Sequence, residues 1–228
     1  MFKRLSLLSL LLVSGIFISE RVMAQRILGG ISAGINLTQV DGDDLYGFNK
    51  VGFNAGPMVI VPLGKSRNWS ASMELLYSQK GSSHWSSVDS AKYQLKLDYA
   101  EVPLIIHYTD KKLISGGIGF SYGRLINYRE TKNKFYDSLY KYQTALSYDD
   151  ISILGDVQIR IWSKLWVDLR YQYTMKSLRT VSVDKFWLAP RNEPVVRKQY
   201  NNVISLRLTW IFNQPKIEKH PTKQGSSE

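Results

Sequence analysis

Two short stretches contain residue types that could bind an ion or a phosphate group. Residues 116–123, GGIGFSYG, have the glycine content of a phosphate-binding loop, but such a loop joins a strand to a helix and no helical pattern follows. Residues 41–44, DGDD, lack the spaced ligands and the distal Glu of a calcium loop. We interpret 116–123 as strand positions that leave room for large charged side chains, and 41–44 as a turn.

The histidines are the next candidates for chemistry. His84, His107 and His220 are not at the spacing of metal ligands. His84 lies among serines that could complete a Ser/His/Asp site for lipid modification, and a solvated loop histidine explains it equally well. We therefore expect no catalytic residue, no metal site and no cofactor.

Charged residues alternate with large apolar ones in several segments, most clearly in 203–212, VISLRLTWIF. The apolar face of this segment consists of Ile204, Leu206, Leu208, Trp210 and Phe212. Such period-two alternation predicts a β-strand with one apolar and one polar face. In a soluble protein the apolar face would pack into a core. In a membrane barrel it would face lipid, and Arg207 would face the lumen.

Eight segments show strand patterns, and the lengths of their connections alternate. The predicted strands cover about 28–40, 51–63, 69–80, 92–109, 113–127, 147–162, 165–178 and 197–212. Connections after the second, fourth and sixth strands are short, and the other connections are long and polar. This layout predicts an all-β, eight-stranded antiparallel outer-membrane barrel with short periplasmic turns and long extracellular loops. A soluble β-sandwich is the alternative, because polar strand faces could also meet water.

The N-terminus predicts export. Two basic residues precede an uncharged apolar run, and Val22, Met23 and Ala24 form a small-x-small cleavage site. The run is shorter than the about 20 apolar residues of a membrane-spanning helix, although an uncleaved anchor is the alternative. The predicted organisation is a signal peptide at 1–24, a barrel at 25–212 and a disordered periplasmic tail at 213–228.

Composition narrows the range of partners. There is no cysteine, so disulfides, thiolate metal sites and a lipoprotein anchor are excluded. Cleavage of the signal peptide removes three basic residues and one acidic residue, which lowers the net charge from +11 to +9. A basic exported protein suits outer-membrane lipid and lipopolysaccharide, and nucleic acid is not expected. Phe212, the terminal aromatic of the last strand, is a residue that the barrel-insertion machinery could recognise.

The inward positions of the predicted strands carry charges of both signs. The expected luminal network consists of Glu74, Lys96, Asp98, Glu101, Asp156, Arg160, Asp168, Arg170 and Arg207. Eight strands enclose an interior that side chains can fill, so this network should close the lumen. A bulge or bend near Ala100 would shift the phase of the fourth predicted strand. That shift would place Glu101 and His107 inside together with Lys96 and Asp98.

Several motifs resemble those of the PorT-like family of outer-membrane barrels. GGISAGINLTQVDGDD resembles the opening strand and Gly-Asp turn of that family, ELLYSQKGS its third strand, and LDYAEVPLIIHY its fourth strand. The similarity extends from about Gly30 to Phe212. It implies an eight-stranded barrel in a Gram-negative outer membrane, and the best-known member of the family is needed for type IX protein secretion. The family brings no catalytic residues.

The expected function is that of a non-enzymatic membrane scaffold or accessory protein. Its partners would be components of a secretion system or other envelope proteins. A surface adhesin is the alternative, acting through aromatic residues of the third and fourth long loops: Tyr136, Tyr140, Tyr142, Phe186 and Trp187. A lipid-modifying outer-membrane enzyme is the third hypothesis.

Overall fold

The computed structural model describes residues 27–43, 47–64, 66–85, 92–132, 140–183 and 195–213. The predicted signal peptide and all of the predicted tail except Asn213 lie outside these residues. The described ranges form eleven strands: β1 (Leu28–Asp41), β2 (Lys50–Leu63), β3 (Trp69–Glu74), β4 (Leu76–Trp85), β5 (Lys92–Asp110), β6 (Ile114–Lys132), β7 (Tyr140–Gln143), β8 (Asp149–Arg160), β9 (Leu165–Thr174), β10 (Arg179–Val183) and β11 (Val195–Ile211). No helix in this part of the chain has the length and apolar character of a membrane span.

The strands close into a ring of eight antiparallel barrel strands. β3 and β4 form one barrel strand that is interrupted at Leu75, because β3 and β4 both pair with β2 on one side and β5 on the other. β9 and β10 likewise follow one another along β11. Pairing of β1 with β11 closes the ring, and β7 pairs with β10 near one end. The predicted eight-stranded antiparallel barrel is confirmed.

The two ends of the barrel differ. The connections at 64–68, 111–113 and 161–164 are short and lie at the same end as both ends of the barrel sequence, where the Phe212 N–H donates to the Gly29 carbonyl at 2.8 Å. The long connections join strands at the opposite end. We call these the periplasmic end and the outer end, following the layout of outer-membrane barrels.

Burial is reversed relative to a water-soluble protein. Arg207 is 1% exposed, whereas Leu206 and Leu208 beside it are 51% and 54% exposed. Trp210 and Phe212 are also exposed and Ile204 is half-buried, so the apolar face of β11 points outward. On β6 the exposed apolar positions extend from Ile114 to Tyr122 without an outward charge, and Ile126 and Tyr128 are exposed beyond Arg124. At about 3.3 Å per residue and the usual tilt, the uninterrupted part covers roughly 20 Å of a bilayer. Only lipid makes such a surface favourable.

β5 keeps one alternation along its whole length. Every odd-numbered residue from Tyr93 to His107 is buried. The pairing with β6 does shift between Asp98 and Tyr99, because Ile126 is an extra residue on β6 between Leu125 and Asn127. The irregularity expected near Ala100 therefore exists at that height, but β6 carries it, and β5 undergoes no change of phase.

Candidate functional site in the lumen and outer cap

Glu74 is the centre of the luminal charge cluster. Its carboxylate accepts hydrogen bonds from Arg170 Nη2 on β9 and from Arg207 Nη2 on β11, each at 2.7 Å. Both guanidinium groups and the carboxylate are almost completely buried. Buried charges are tolerated when they are paired and hydrogen-bonded. The three residues meet because each occupies an inward position on a different barrel strand.

Two aspartates extend this cluster. Asp156 Oδ2 lies 3.1 Å from Arg170 Nη2, and its other oxygen lies 3.1 Å from His107 Nε2. Asp168 lies 3.6 Å from a nitrogen of Arg170 and of Arg207, and neither of its oxygens accepts a hydrogen bond from the described residues. Together, Glu74, Asp156 and Asp168 set three carboxylates against two guanidinium groups.

A second cluster lies nearer the outer end. Lys80 on β4 contacts the carboxylate of Glu101 on β5 and lies 3.1 Å from Asp150 Oδ2 on β8. Asp150 also accepts hydrogen bonds from Ser152 on β8 itself, from Thr174 at the end of the neighbouring β9, and from Asn201 on β11. Every one of these side chains is buried. The two clusters stacked along the barrel axis occupy its interior with polar side chains.

Glycines on β6 make room for these charges. A Cβ atom at Gly117 would overlap the His107 ring and the Asp156 carboxylate. At Gly123 it would lie 3.4 Å from atoms of Glu101 and of Asp150. The geometry at both positions agrees with the interpretation of residues 116–123 as small inward positions.

Three residues expected in the luminal network, Lys96, Asp98 and Arg160, belong to neither cluster. Lys96 and Asp98 lie on the face of β5 opposite to Leu95, Leu97 and Tyr99; the Lys96 side chain is 41% exposed and its nitrogen is 3.8 Å from Asp98. They lie on the face turned away from the lumen, in a part of β5 beyond the apolar band. Lys96 meets water there, whereas Asp98 is buried and accepts a hydrogen bond from Asn127.

Arg160 is buried at the periplasmic end. It donates to the backbone carbonyls of Trp162 and Ser163 in the adjacent turn and lies over the Trp166 ring. The sequence reasoning missed Lys80 and Asp150, although both continue the inward period-two positions of their strands. Extending that period to the outer strand ends would have found them.

Above the apolar band the strands enclose an apolar core. We call this region the outer cap: β10 with residues 93–99 of β5, 125–132 of β6 and 195–201 of β11. Its buried cluster consists of Val40, Tyr93, Leu95, Leu97, Tyr99, Leu125, Leu178 and Val181. β10 lies over the outer mouth because it continues the pairing of β11 past the end of β9. The cap is thus packed like the interior of a soluble protein.

Arg179 connects the parts of the outer cap. Its Nη1 and Nη2 donate to the two oxygens of Glu130 at 3.0 and 2.8 Å, and its Nε donates to Gln199 at 2.7 Å. Nη2 also donates to the Tyr93 hydroxyl at 3.1 Å. Burial by itself would raise the pKa of Glu130, but the hydrogen bonds and charge of Arg179 outweigh it and hold that pKa below its usual range.

No group of three or more His, Asp or Glu side chains in the described ranges is arranged to hold a metal ion. His84 lies on β4 opposite Tyr93 of β5, at the outer end.

Several solved structures of outer-membrane proteins are similar to this chain. No curated protein matches the sequence. Among solved structures, Ail, the attachment invasion locus protein of Yersinia pestis, crystallised with the heparin analogue sucrose octasulfate, is similar with a TM-score of 0.44 and 13% identity, over 82% of this chain and 99% of that chain. Neisserial surface protein A is similar with a TM-score of 0.42 and 10% identity, over 82% of this chain and 96% of that chain. The outer membrane protein OprG from Pseudomonas aeruginosa is similar with a TM-score of 0.39 and 12% identity, over 82% of this chain and 94% of that chain.

The family assignment comes from the sequence itself. Residues 20–178 match the family described as "Outer membrane protein beta-barrel domain". This agrees with the ring of antiparallel strands, the outward apolar band and the buried charges. The chain belongs to the outer membrane protein beta-barrel domain family and is an integral β-barrel of a Gram-negative outer membrane.

Proposed function

We propose that this protein is a non-enzymatic outer-membrane scaffold with a closed lumen, which presents its outer cap to another envelope protein. The observation that carries the proposal is the cap itself. Membrane anchoring requires only strands that cross the apolar band, yet here the strands continue beyond it and build a separate core around Leu97 and Val181. A folded surface outside the membrane is suited to binding a partner without large loss of conformational entropy.

The filled interior supports the closed lumen. An eight-stranded barrel is just wide enough for side chains to fill, and here the Glu74 and Lys80 clusters lie in series below the apolar core of the cap. A conducting pore would need these buried ion pairs to separate. Purified protein in planar bilayers is expected to give no stable single-channel current.

The cap as the binding surface can be tested by site-specific photo-crosslinking in intact cells. A crosslinker at Val196, which is 67% exposed on the cap, should capture one envelope protein in a fixed ratio. The matched control carries the crosslinker at Lys111 in a periplasmic turn and should not capture that protein. Adducts that are absent, or identical from both positions, would contradict the proposal.

A role in type IX secretion is the finer version of this proposal. It is supported by the resemblance of ELLYSQKGS and LDYAEVPLIIHY to the PorT-like strands. A deletion strain should then retain its secreted cargo inside the cell, and the Val196 crosslink should identify a component of the secretion system. Normal secretion in that strain would leave the general scaffold role and remove the secretion role.

The two alternative functions give different results. The aromatic residues proposed for adhesion lie at 136–142 and 186–187, whose side chains are outside the described residues. Short Gly/Ser linkers in place of 133–139 and 184–194, together with Tyr140→Ser and Tyr142→Ser, remove all the aromatic residues proposed for adhesion. This variant should not bind surfaces if the protein is an adhesin, while the Val196 crosslink should survive if it is a scaffold. His84→Ala should leave the membrane lipid profile unchanged, and an altered profile would favour the enzyme hypothesis.

A further inference from the structure

Basic side chains occupy outward positions immediately beyond the apolar band on one side of the barrel. We call this group the basic rim; it consists of Lys96, Arg124, Arg129 and Lys176. Arg124 follows Tyr122 at the next outward position of β6, and its side chain is 56% exposed. Lys176, just after β9, is 48% exposed. Arg124 and Lys176 lie at the height where lipid head groups begin, and Lys96 and Arg129 lie farther out.

The lower part of the rim is held in a fixed geometry. Asp149, at the start of β8, accepts hydrogen bonds from Arg124 Nη1 at 2.6 Å and from the Tyr122 hydroxyl at 2.8 Å. Lys176 Nζ lies 3.8 Å from the same carboxylate, and the Arg124 guanidinium lies 5.3 Å from the centre of the Tyr148 ring. Two cations therefore share one carboxylate, which leaves an oriented and exposed excess of positive charge.

The upper part of the rim contains an unfavourable pair. Lys96 on β5 is directly opposite Arg129 on β6, on the outward face. Like charges in directly opposite positions of a sheet are destabilising. Asp98 lies 3.8 Å from Lys96 and accepts a hydrogen bond from Asn127. Arg129 forms no ion pair with any carboxylate of the described residues. An anionic ligand between the two strands would remove this repulsion.

The height of the rim indicates the kind of ligand. Arg129 is five residues beyond Arg124 on β6, and one of the five is the bulged Ile126. The separation is therefore about 13 Å along the strand, or roughly 10 Å of height at the usual tilt. A lipid with a single phosphate at the membrane surface could reach only the lower pair. A glycolipid that carries anionic groups on its lipid anchor and on its inner sugars could reach both pairs at once.

We propose that the basic rim is a binding site for the phosphate groups of lipopolysaccharide in the outer leaflet. The lower pair, Arg124 and Lys176, binds a phosphate of the lipid anchor, and the upper pair, Lys96 and Arg129, binds an anionic group of the sugars above it. Arginine offers two parallel donors to one phosphate, which favours this ligand over a neutral head group. The inference uses only the outer-membrane placement, so it holds independently of the proposed scaffold role.

Binding of lipopolysaccharide to purified protein in zwitterionic detergent tests the site. Two variants remove one pair each, Arg124→Gln with Lys176→Gln, and Lys96→Gln with Arg129→Gln. The matched control is Lys111→Gln with Lys112→Gln, which makes the same charge change in an exposed periplasmic turn. Each rim variant should bind lipopolysaccharide at least tenfold more weakly, and the control should stay within twofold. An equal loss in the control would overturn the proposal, because net charge would then explain the binding.

A second arm identifies the phosphate as the ligand. Wild-type protein should bind dephosphorylated lipopolysaccharide as weakly as the rim variants bind the intact lipid. Unchanged affinity for the dephosphorylated lipid would overturn the proposal.

Thermal unfolding is a further test, because one rim substitution should change the Tm in opposite directions without and with lipopolysaccharide. Without lipopolysaccharide, Arg129→Gln should raise the Tm, since it removes the repulsion from Lys96 and leaves the Lys96–Asp98 ion pair in place. With lipopolysaccharide, the same variant should have a lower Tm than the wild type, because the ligand stabilises only the intact pair. A lower Tm in lipid-free detergent would show that Arg129 stabilises the fold by itself and would overturn the proposal.

Discussion

The membrane-spanning half and the outer cap place opposite chemistries inside the same barrel. On β5 a single inward face carries Tyr93, Leu95, Leu97 and Tyr99 in the cap and Glu101 and His107 in the membrane half. The face of the strand does not change between the two regions; its surroundings do. Lipid outside favours apolar side chains on the outer surface and leaves the polar ones inside, whereas water outside favours the reverse.

The two regions also differ in what holds them together. The cap is stabilised by apolar burial, with one buried arginine paired to Glu130. The interior of the membrane half is dominated by two ion-pair clusters, with scattered buried apolar side chains such as Met58 and Ile105 between them. Removing one member of a buried ion pair leaves its partner uncompensated, and removing a methylene group leaves only a cavity. The two halves should therefore respond differently to substitution.

Glu74→Gln should have the largest effect. It removes the carboxylate that accepts hydrogen bonds from both Arg170 and Arg207, whereas Asp168 lies 3.6 Å from each without a hydrogen bond. The loss of these buried charge-assisted hydrogen bonds should lower the free energy of unfolding by about 3–5 kcal/mol. Urea titration of the refolded barrel in lipid vesicles measures this. Glu130→Gln is the matched control, because that carboxylate is partly hydrated, and its effect should be smaller. A loss below about 1 kcal/mol for Glu74→Gln would mean that the luminal cluster is not a stabilising element.

Leu97→Ala should affect the cap alone. Leu97 is fully buried, and truncation of such a residue costs about 2–5 kcal/mol. Hydrogen exchange should show lost protection in β10 and the outer part of β6, with the membrane-spanning strands unchanged. Leu104→Ala, on the lipid face of the same strand, is the control and should leave the cap protected. Loss of protection throughout the barrel would show that the two regions unfold as one unit.

Arginine scanning of the outward face should locate the boundary between lipid and water. Leu206→Arg places a charge in the apolar band and should cost about 2–4 kcal/mol. Val196→Arg makes a comparable change on the same strand, but in the cap, where water solvates the charge, and should be nearly neutral. Vesicle unfolding measurements compare the two. Similar costs at both positions would contradict the division into a membrane half and a cap.

Acid should loosen the cap, as the smallest of these effects. The pKa of Glu130 is lowered in the folded state, so its contribution to stability is present above the usual carboxyl range and is lost as the pH falls through the folded value. Limited proteolysis should cleave the cap faster below about pH 4. Glu130→Gln should already be cleaved faster at neutral pH and should lose the acid dependence. Identical pH profiles for the two proteins would contradict this role of Glu130.

Much of this organisation was predictable from the chain. The period-two patterns located the eight barrel strands, and the alternation of short and long connections predicted the two ends of the barrel. Glu74, Asp156, Asp168, Arg170 and Arg207 were expected at inward positions, where the structure places them. Strand faces and turn lengths are local properties, so they can be read without knowing which strands are neighbours.

Other features depend on how the strands are arranged around the barrel. The sequence did not indicate that β10 would pair along β11 over the outer mouth, nor that Ile126 would form the bulge on β6. Lys96 and Asp98 were expected inside because charges in a membrane strand belong in the lumen, but this part of β5 lies beyond the band. The sequence by itself determined which residues share a face of most strands, with the outer part of β5 as the exception. Only the tertiary structure decided which inward charges meet and where lipid gives way to water, because ring closure and the stagger between strands set the height of every residue relative to its neighbours.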